Sequence, residues 1–97
     1  MAIMTNFDVA HINEQGVNVV VVFVDESVSR RSPAAQLELA EALAHCAASA
    51  GLLGNIAMVW PGGFWAPNSQ HAFFRSVGGS YPALAARINK KLLCSGF

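Results

Sequence analysis

The sequence predicts an α+β fold with the element order ββαββα, a two-layer sandwich in which a four-stranded mixed sheet carries two helices on one face. Two observations lead to this prediction. Residues near the amino end follow the period of two that is typical of strands, and residues 33–50 are almost all good helix formers. With 97 residues, the chain is expected to form a single domain over 1–97, because domains commonly contain about 100–150 residues.

The first two strands are predicted to form an antiparallel hairpin. Residues 5–12 alternate between two sides, and the turn over 13–16 includes Gly16, which can adopt the positive φ of a bulged hairpin. Residues 17–24 (VNVVVVFV) are apolar at almost every position, which is typical of a strand covered on both faces. The second strand is therefore placed inside the sheet.

Residues 33–50 are predicted to form the first helix. Ser32 can cap its amino end, Pro33 suits the first helical position, and Gly51 or Gly54 can end it. The 3,4 spacing of apolar residues predicts one buried stripe along this helix. Its members are Leu39, Leu43, Cys46, Ala47 and Ala50.

The second half of the chain is predicted to add two strands and a helix. One strand covers 55–60, and the other runs from 70 or 71 to 77. Residues 60–68 between them are expected to be irregular because two prolines and two adjacent glycines interrupt them. The second helix is expected to open over 78–82 and to reach about Leu93. Its buried stripe is predicted to be Leu84, Ala85, Ile88 and Leu92, with Lys90 and Lys91 in its last turn.

The topology and the low charge content together predict a homodimer. A strand–helix–strand connection is right-handed and makes the second and third strands parallel. With both helices on one face, the other face of the sheet is open. Charged residues are 12% of the chain, against about 25% in average domains, so apolar groups must cover part of the surface. A second copy would hide them; the alternative is that exposed alanine accounts for the excess.

Charge and hydropathy exclude several classes of partner. Six basic and six acidic residues cancel, so nucleic acid and anionic membranes are not expected to bind. The longest apolar run, 19–24, is shorter than the roughly 20 residues of a membrane helix. Residues 1–7 have neither a basic region nor a long apolar core, so no secretory signal is expected. A cytoplasmic location is therefore expected. Cys46 and Cys94 are expected to be buried, reduced thiols, and no metal or cofactor is predicted, since neither the cysteines nor the histidines have ligand spacing.

A candidate site is predicted at the sheet edge where the second and third strands end, since ligands of open α/β sheets bind outside the carboxyl ends of parallel strands. In the alternative interpretation, its charges are simply solvated and its aromatic residues fill the core or a dimer interface. The paired glycines between aromatic residues also predict that the backbone there lies close to another group. The nine residues, called the predicted rim below, are Asp25, Glu26, Arg30, Arg31, Trp60, Phe64, Trp65, Asn68 and His71.

Two functions follow from these patterns. The leading hypothesis is a non-enzymatic binding or interaction protein, homodimeric, with the aromatic loop 60–69 as its contact surface. The alternative is a small-molecule-binding domain or modest enzyme with a site at the rim formed by loops 25–32 and 61–71, where His71 would act as general base if Asp25 or Glu26 orients it. No motif specifies a substrate or a reaction class, so the sequence leaves the enzyme question open and favours a non-enzymatic role.

Overall fold

The computed structural model describes residues 4–14, 16–66 and 81–95, which are organised around a five-stranded mixed sheet. The order across the sheet is β4-β3-β2-β1-β5; β2 and β3 are parallel and the other neighbouring strands are antiparallel. This confirms the α+β class and the parallel pair, but the prediction of four strands is wrong. The strands are β1 (Met4–Glu14), β2 (Val17–Phe23), β3 (Asn55–Trp60), β4 (Gly63–Trp65) and β5 (Lys90–Ser95).

The described residues also include three helical segments. A 3-10 helix (Glu26–Arg30) follows β2, α1 (Pro33–Ser49) connects it to β3, and α2 (Tyr81–Ala85) precedes β5. The predicted strand over 70–77 and the predicted helix start over 78–80 lie outside the described residues.

The predicted hairpin and its central strand are confirmed. β1 pairs with β2 in the register Val9 with Val22 and Ile12 with Val19. All four valines over 19–22 have no exposed surface. Because successive side chains of a strand point to opposite faces, these four valines can all be buried only if both faces of the sheet are covered.

The two helices lie on opposite faces of the sheet, so the prediction of a two-layer sandwich with both helices on one face is wrong. On one face, which we call the α1-side cluster, Leu43 of α1 packs with Val20, Val22 and Met58, among others. The α2-side cluster on the other face joins Leu84 of α2 to a second set of strand residues. Its strand members include Val19, Val21, Ala57 and Val59.

The physical reason is the continuous apolar character of β2 and β3. Each strand presents apolar side chains alternately to both faces, and neither face can be left to water. Tyr81 helps to hold α2 in place, since its ring meets Phe23 edge to face with centroids 5.6 Å apart. The open face expected over the central strands, one of the two reasons for predicting a dimer, is therefore not found there.

Helix α1 begins as the sequence indicates. The Ser32 hydroxyl accepts a hydrogen bond from the Ala35 amide at 3.2 Å, and Pro33 occupies the first turn. After Ala50 the chain leaves the helix through Gly51, whose φ of +82° suits a residue without a Cβ. Of the predicted stripe, Leu43 and Ala47 are buried, Leu39 and Cys46 are half-buried, and Ala50 is exposed.

The predicted helix up to Leu93 is wrong, because α2 ends at Ala85 and residues 90–95 form β5. Asn89 makes the transition. Its side-chain oxygen accepts from the His11 amide and its side-chain nitrogen donates to the His11 carbonyl, each at 2.9 Å, while its own amide donates to the Val9 carbonyl at 3.0 Å. These three bonds attach the chain to the edge of β1.

Along β5, burial follows a period of two. Leu92 and Cys94 are buried in the α1-side cluster, while Lys91 and Leu93 are exposed. Lys91 forms an ion pair with Asp8, which lies opposite it on β1. The lysines therefore belong to a strand rather than to the last turn of a helix, and Leu84 and Leu92 lie on opposite faces of the sheet.

A disulfide joins Cys46 of α1 to Cys94 of β5, with their Cα atoms 6.0 Å apart. The expectation of two reduced thiols is wrong. Both cysteines point into the same space because α1 covers the face on which Cys94 lies. The bond closes a loop with a sequence separation of 48, which stabilises the fold by about 4 kcal/mol in the loop-closure model.

Candidate functional site

The segments that follow β2 and β3 leave the sheet at the same edge, as predicted. β2 pairs in parallel with β3 up to Phe23 and Val59, and the Val24 amide still donates to the Val59 carbonyl at 2.9 Å. The 3-10 helix begins just after β2, and the turn to β4 begins just after β3. Both segments therefore lie where ligands of open α/β sheets bind.

The segment after β2 is held in place by hydrogen bonds and by one buried side chain. Asp25 caps the 3-10 helix, with a carboxylate oxygen accepting from the Ser27 amide at 2.9 Å. Val28 is buried, and its carbonyl accepts from the Arg31 amide at 3.1 Å and from the Gln36 side chain at 2.9 Å. The last of these bonds ties the turn to α1.

A cleft of about 500 Å³ lies between this turn, α1 and the amino-terminal half of β1. Its floor is apolar and continuous with the α1-side cluster, in which Val24 and Val28 are members and against which Phe7 and Leu39 pack. The apolar lining residues are Phe7, Val24, Val28, Ala35 and Leu39.

Polar side chains surround the apolar floor and come from three parts of the chain. β1 provides a hydroxyl, the turn provides a carboxylate, a hydroxyl and a guanidinium group, and α1 provides a second carboxylate. These polar lining residues are Thr5, Asp25, Ser27, Arg31 and Glu38.

The two acidic groups of the cleft differ in their surroundings. The pKa of Asp25 is lowered from its ordinary value, mainly by a hydrogen bond with the Ser27 side chain, then by the Ser27 amide, with a smaller contribution from the positive charge of Arg30. Asp25 is therefore ionised at neutral pH and already has partners. Glu38 and Arg31, by contrast, form no ion pair with each other or with another side chain in the described parts of the chain.

The predicted rim is only partly assembled into this cleft. Asp25 and Arg31 line it, whereas Glu26 and Arg30 are exposed members of the 3-10 helix and do not. The predicted rim residues Asn68 and His71 lie outside the described residues.

The aromatic members of the predicted rim are used largely for packing. Trp60 is only 7% exposed and belongs to the α1-side cluster, against which Trp65 also packs. Phe64 packs against the α2-side cluster. The prediction that residues 60–68 lack regular structure is wrong for Gly63–Trp65, which forms β4.

Trp60 also explains the second of the two paired glycines, Gly63. It lies opposite Gly63 in the β3–β4 pairing, and a Cβ added to Gly63 would lie 2.7 Å from the indole nitrogen of Trp60. Only a glycine therefore leaves room for the indole in its present position. The close approach that the sequence predicts for this backbone is an approach to the protein's own tryptophan.

Sequence reasoning missed the contributions of β1 and α1 to the cleft. The signals that could have indicated these contributions are weak. Phe7 is an apolar residue on the same side of β1 as Val9, and Glu38 and Leu39 are neighbours on α1. Their proximity to Asp25 depends on how α1 crosses the sheet, which local patterns do not reveal. Elsewhere, no three His, Cys, Asp or Glu residues over 4–14, 16–66 and 81–95 are grouped as metal ligands.

The described residues form one mixed sheet with a helix on each face and a ligand-sized cleft at the carboxyl edge of a parallel strand pair. No helix within the described ranges has the length and apolar character needed to cross a membrane. Compared with protein-family models, curated proteins and solved structures, the chain matches none of them.

Proposed function

We propose that this protein binds a small organic molecule in the cleft at the end of β2. The observation that carries the proposal is the cleft itself: about 500 Å³, with an apolar floor and charged groups at its margin. Ligand sites in proteins commonly have volumes of about 300–1,000 Å³ and combine apolar walls with a few polar groups. The proposal develops the small-molecule alternative of the sequence analysis and moves the site from loops 61–71 toward β1 and α1.

Binding is favoured over catalysis by the chemistry of the lining. Thr5 and Ser27 supply hydroxyls, but a hydroxyl becomes a nucleophile only beside a base that can take its proton. The described lining includes no histidine or cysteine. The carboxylate beside the Ser27 hydroxyl is that of Asp25, whose lowered pKa makes it a weak base. Asp25 also accepts a hydrogen bond from the Ser27 amide, which suits a structural cap.

The proposal is tested by filling the cleft. Ala35→Trp places a large side chain in the lining, and Ala34→Trp, at an exposed neighbour outside the lining, is the matched control. We expect a fragment library to perturb the amide NMR signals of Val24, Ser27 and Leu39 in the wild type and in the control, but not in Ala35→Trp. Fragments that bind Ala35→Trp equally well, or a wild type that responds to no fragment, would contradict the proposal.

A homodimer is the second candidate, favoured by the exposed edge of β5. Within the described chain, β5 has a strand on one side only, and Leu93 on it is 58% exposed. Two copies related by a twofold axis through Leu93 would pair antiparallel and place Lys91 opposite Ser95, which keeps like charges apart. Phe64 and Trp65 of the predicted aromatic loop 60–69 lie on β4, at the opposite edge of the sheet from β5. The contact surface predicted at that loop is therefore not part of this dimer and stays a separate prediction.

Exposed alanine weakens the compositional argument for that dimer. Alanine is harmless on a surface and accounts for part of the apolar excess, as the alternative in the sequence analysis expects. The exposed alanines of the described helices and their ends are Ala34, Ala42, Ala48, Ala50, Ala83 and Ala86.

Light scattering over a dilution series tests the dimer. We expect the wild type and the control Leu37→Lys, exposed on α1, to be dimeric, and Leu93→Lys to be monomeric. A wild type that is monomeric at every concentration would overturn this candidate. The cytoplasmic location expected from the sequence stays a prediction.

A further inference from the structure

We infer that the ligand of this cleft is a small apolar zwitterion, a free amino acid or a dipeptide, with its carboxylate at Arg31 and its ammonium group at Glu38. The inference rests on the proposed function, since it names the chemical class that the same cleft would take. It is carried by two opposite charges that line one cleft and remain unpaired among the described residues.

The spacing of these two charges suits a ligand that lies between them. Arg31 directly precedes the cap residue of α1, and Glu38 lies about 9 Å further along the helix axis at 1.5 Å per residue. The apolar side chains of Ala35 and Leu39 lie on the same helix and line the same cleft. Because the side chains of arginine and glutamate are long, both can reach a ligand whose carboxylate and ammonium groups lie much closer together than this offset. The apolar side chain of such a ligand would then pack on Ala35 and Leu39.

The orientation of the ligand follows from the electrostatics of α1. The amino end of a helix carries partial positive charge, which adds to the guanidinium group of Arg31 and favours a carboxylate there. Asp25 is engaged by Ser27, so Glu38 is the carboxylate left to hold the ammonium group. The negative charge of Asp25 nevertheless adds to the attraction for a cation inside the cleft.

Ligands with a single charge fit less well for a definite reason. A bound apolar body removes water from the groups around it, and a charge that loses water without gaining a partner opposes binding. An apolar amine would leave Arg31 in this state, and an apolar acid would leave Glu38 in it. Only a zwitterion satisfies both groups at once.

Four probes with the same phenyl group test the inference: phenylalanine, glycyl-phenylalanine, phenethylamine and 3-phenylpropionate. Titrations followed by NMR should show that at least one zwitterion binds about tenfold more tightly than either single-charge probe, as expected for one added charge-assisted contact. The zwitterion with the higher affinity distinguishes a free amino acid from a dipeptide. A single-charge probe that binds as tightly as both zwitterions would overturn the inference.

Variants that remove one charge test which residue holds each charged group of the ligand. Arg31→Gln should weaken the zwitterion about tenfold but bind phenethylamine at least as tightly as the wild type does. Glu38→Gln should likewise weaken the zwitterion but bind 3-phenylpropionate at least as tightly, because each change removes a charge that the single-charge probe leaves without a partner. Arg30→Gln and Glu41→Gln, exposed charges outside the lining, are the matched controls and should bind like the wild type. Equal losses in the controls and in the lining variants would also overturn the inference.

The failure of this inference can be told from the failure of the proposed function. If both zwitterions fail while library fragments still bind the wild type and Ala34→Trp but not Ala35→Trp, the ligand class is wrong and the cleft remains a binding site. If no fragment and no probe perturbs the lining residues, both proposals are wrong.

Discussion

Two segments leave the sheet at the same edge, and they are stabilised in different ways. The segment after β2, Asp25 to Arg31, is charged, exposed and held by hydrogen bonds, with Val28 as its one buried side chain. The hairpin after β3 is aromatic and held by packing, with Trp60 buried in the α1-side cluster. Position at the carboxyl edge of the sheet therefore did not decide how a residue is used; its polarity did.

This difference predicts how the two segments respond to substitution. In the hairpin, a removed side chain leaves a cavity in the core, so stability should fall. In the charged turn, a removed side chain exposes little apolar surface, so stability should change little while binding changes. Substitutions in the two segments test whether their stabilities differ in this way.

The largest effect is expected at Trp60. Trp60→Ala should lower the free energy of unfolding by about 3–5 kcal/mol, because it removes a large buried side chain and leaves a cavity. Arg31→Gln, in the exposed turn, should change it by less than about 0.5 kcal/mol. Urea denaturation measures both. Equal losses in the two variants would show that the turn is as much a part of the core as the hairpin.

The next effect is expected at the disulfide, which ties α1, one wall of the cleft, to β5. Cys46→Ala should lower the free energy of unfolding by about 2–4 kcal/mol through the lost constraint on the unfolded chain. Treatment of the wild type with dithiothreitol should give a similar loss of stability, and the stability of Cys46→Ala should not change under the same treatment. Thermal melting measures both effects. If dithiothreitol does not destabilise a wild type shown by mass to be reduced, the bond contributes no net stability.

The smallest effect is expected at Asp25. Its folded pKa is lowered, so its ionised form stabilises the fold above the unfolded pKa of about 4, and that contribution is lost as the pH falls through the lower folded value. Asp25→Asn should therefore be less stable than the wild type at pH 7, with the difference shrinking toward pH 2. Asparagine caps helices as well as aspartate does, so this change isolates the charge.

Urea denaturation at pH 7, 4 and 2 measures that difference. Asp25→Ala, which removes the cap together with the charge, is the comparison and should be less stable than Asp25→Asn at neutral pH. A difference between wild type and Asp25→Asn that does not depend on pH would contradict the electrostatic explanation and assign the effect to the cap alone.

Local patterns predicted the first half of the chain well. The alternation in β1, the valines of β2 and the cap at Ser32 each depend on residues within one or two turns of one another. The parallel pairing of β2 and β3 followed from the handedness of one connection. These features placed Asp25 and Arg31 at the correct edge of the sheet.

The features that were missed all depend on partners far apart in sequence. Asn89 redirects the chain into β5 because it meets His11, and nothing in the sequence beside Asn89 indicates that contact. The disulfide pairs a helix residue with a strand residue. The cleft likewise needs Phe7 and Glu38, which only the packing of α1 over β1 brings near Asp25.

The place of β5 in the sheet has a consequence for how the chain folds. β5, the last described strand, pairs with β1, the first, so that Met4 lies opposite Ser95. While the chain emerges from the ribosome, one half of β1 has no pairing partner until the residues of β5 have been synthesised. Contacts of such high sequence separation slow folding, and an edge left unpaired invites pairing with other chains. Synthesis of this small domain therefore includes an interval in which one strand of its sheet is exposed to aggregation.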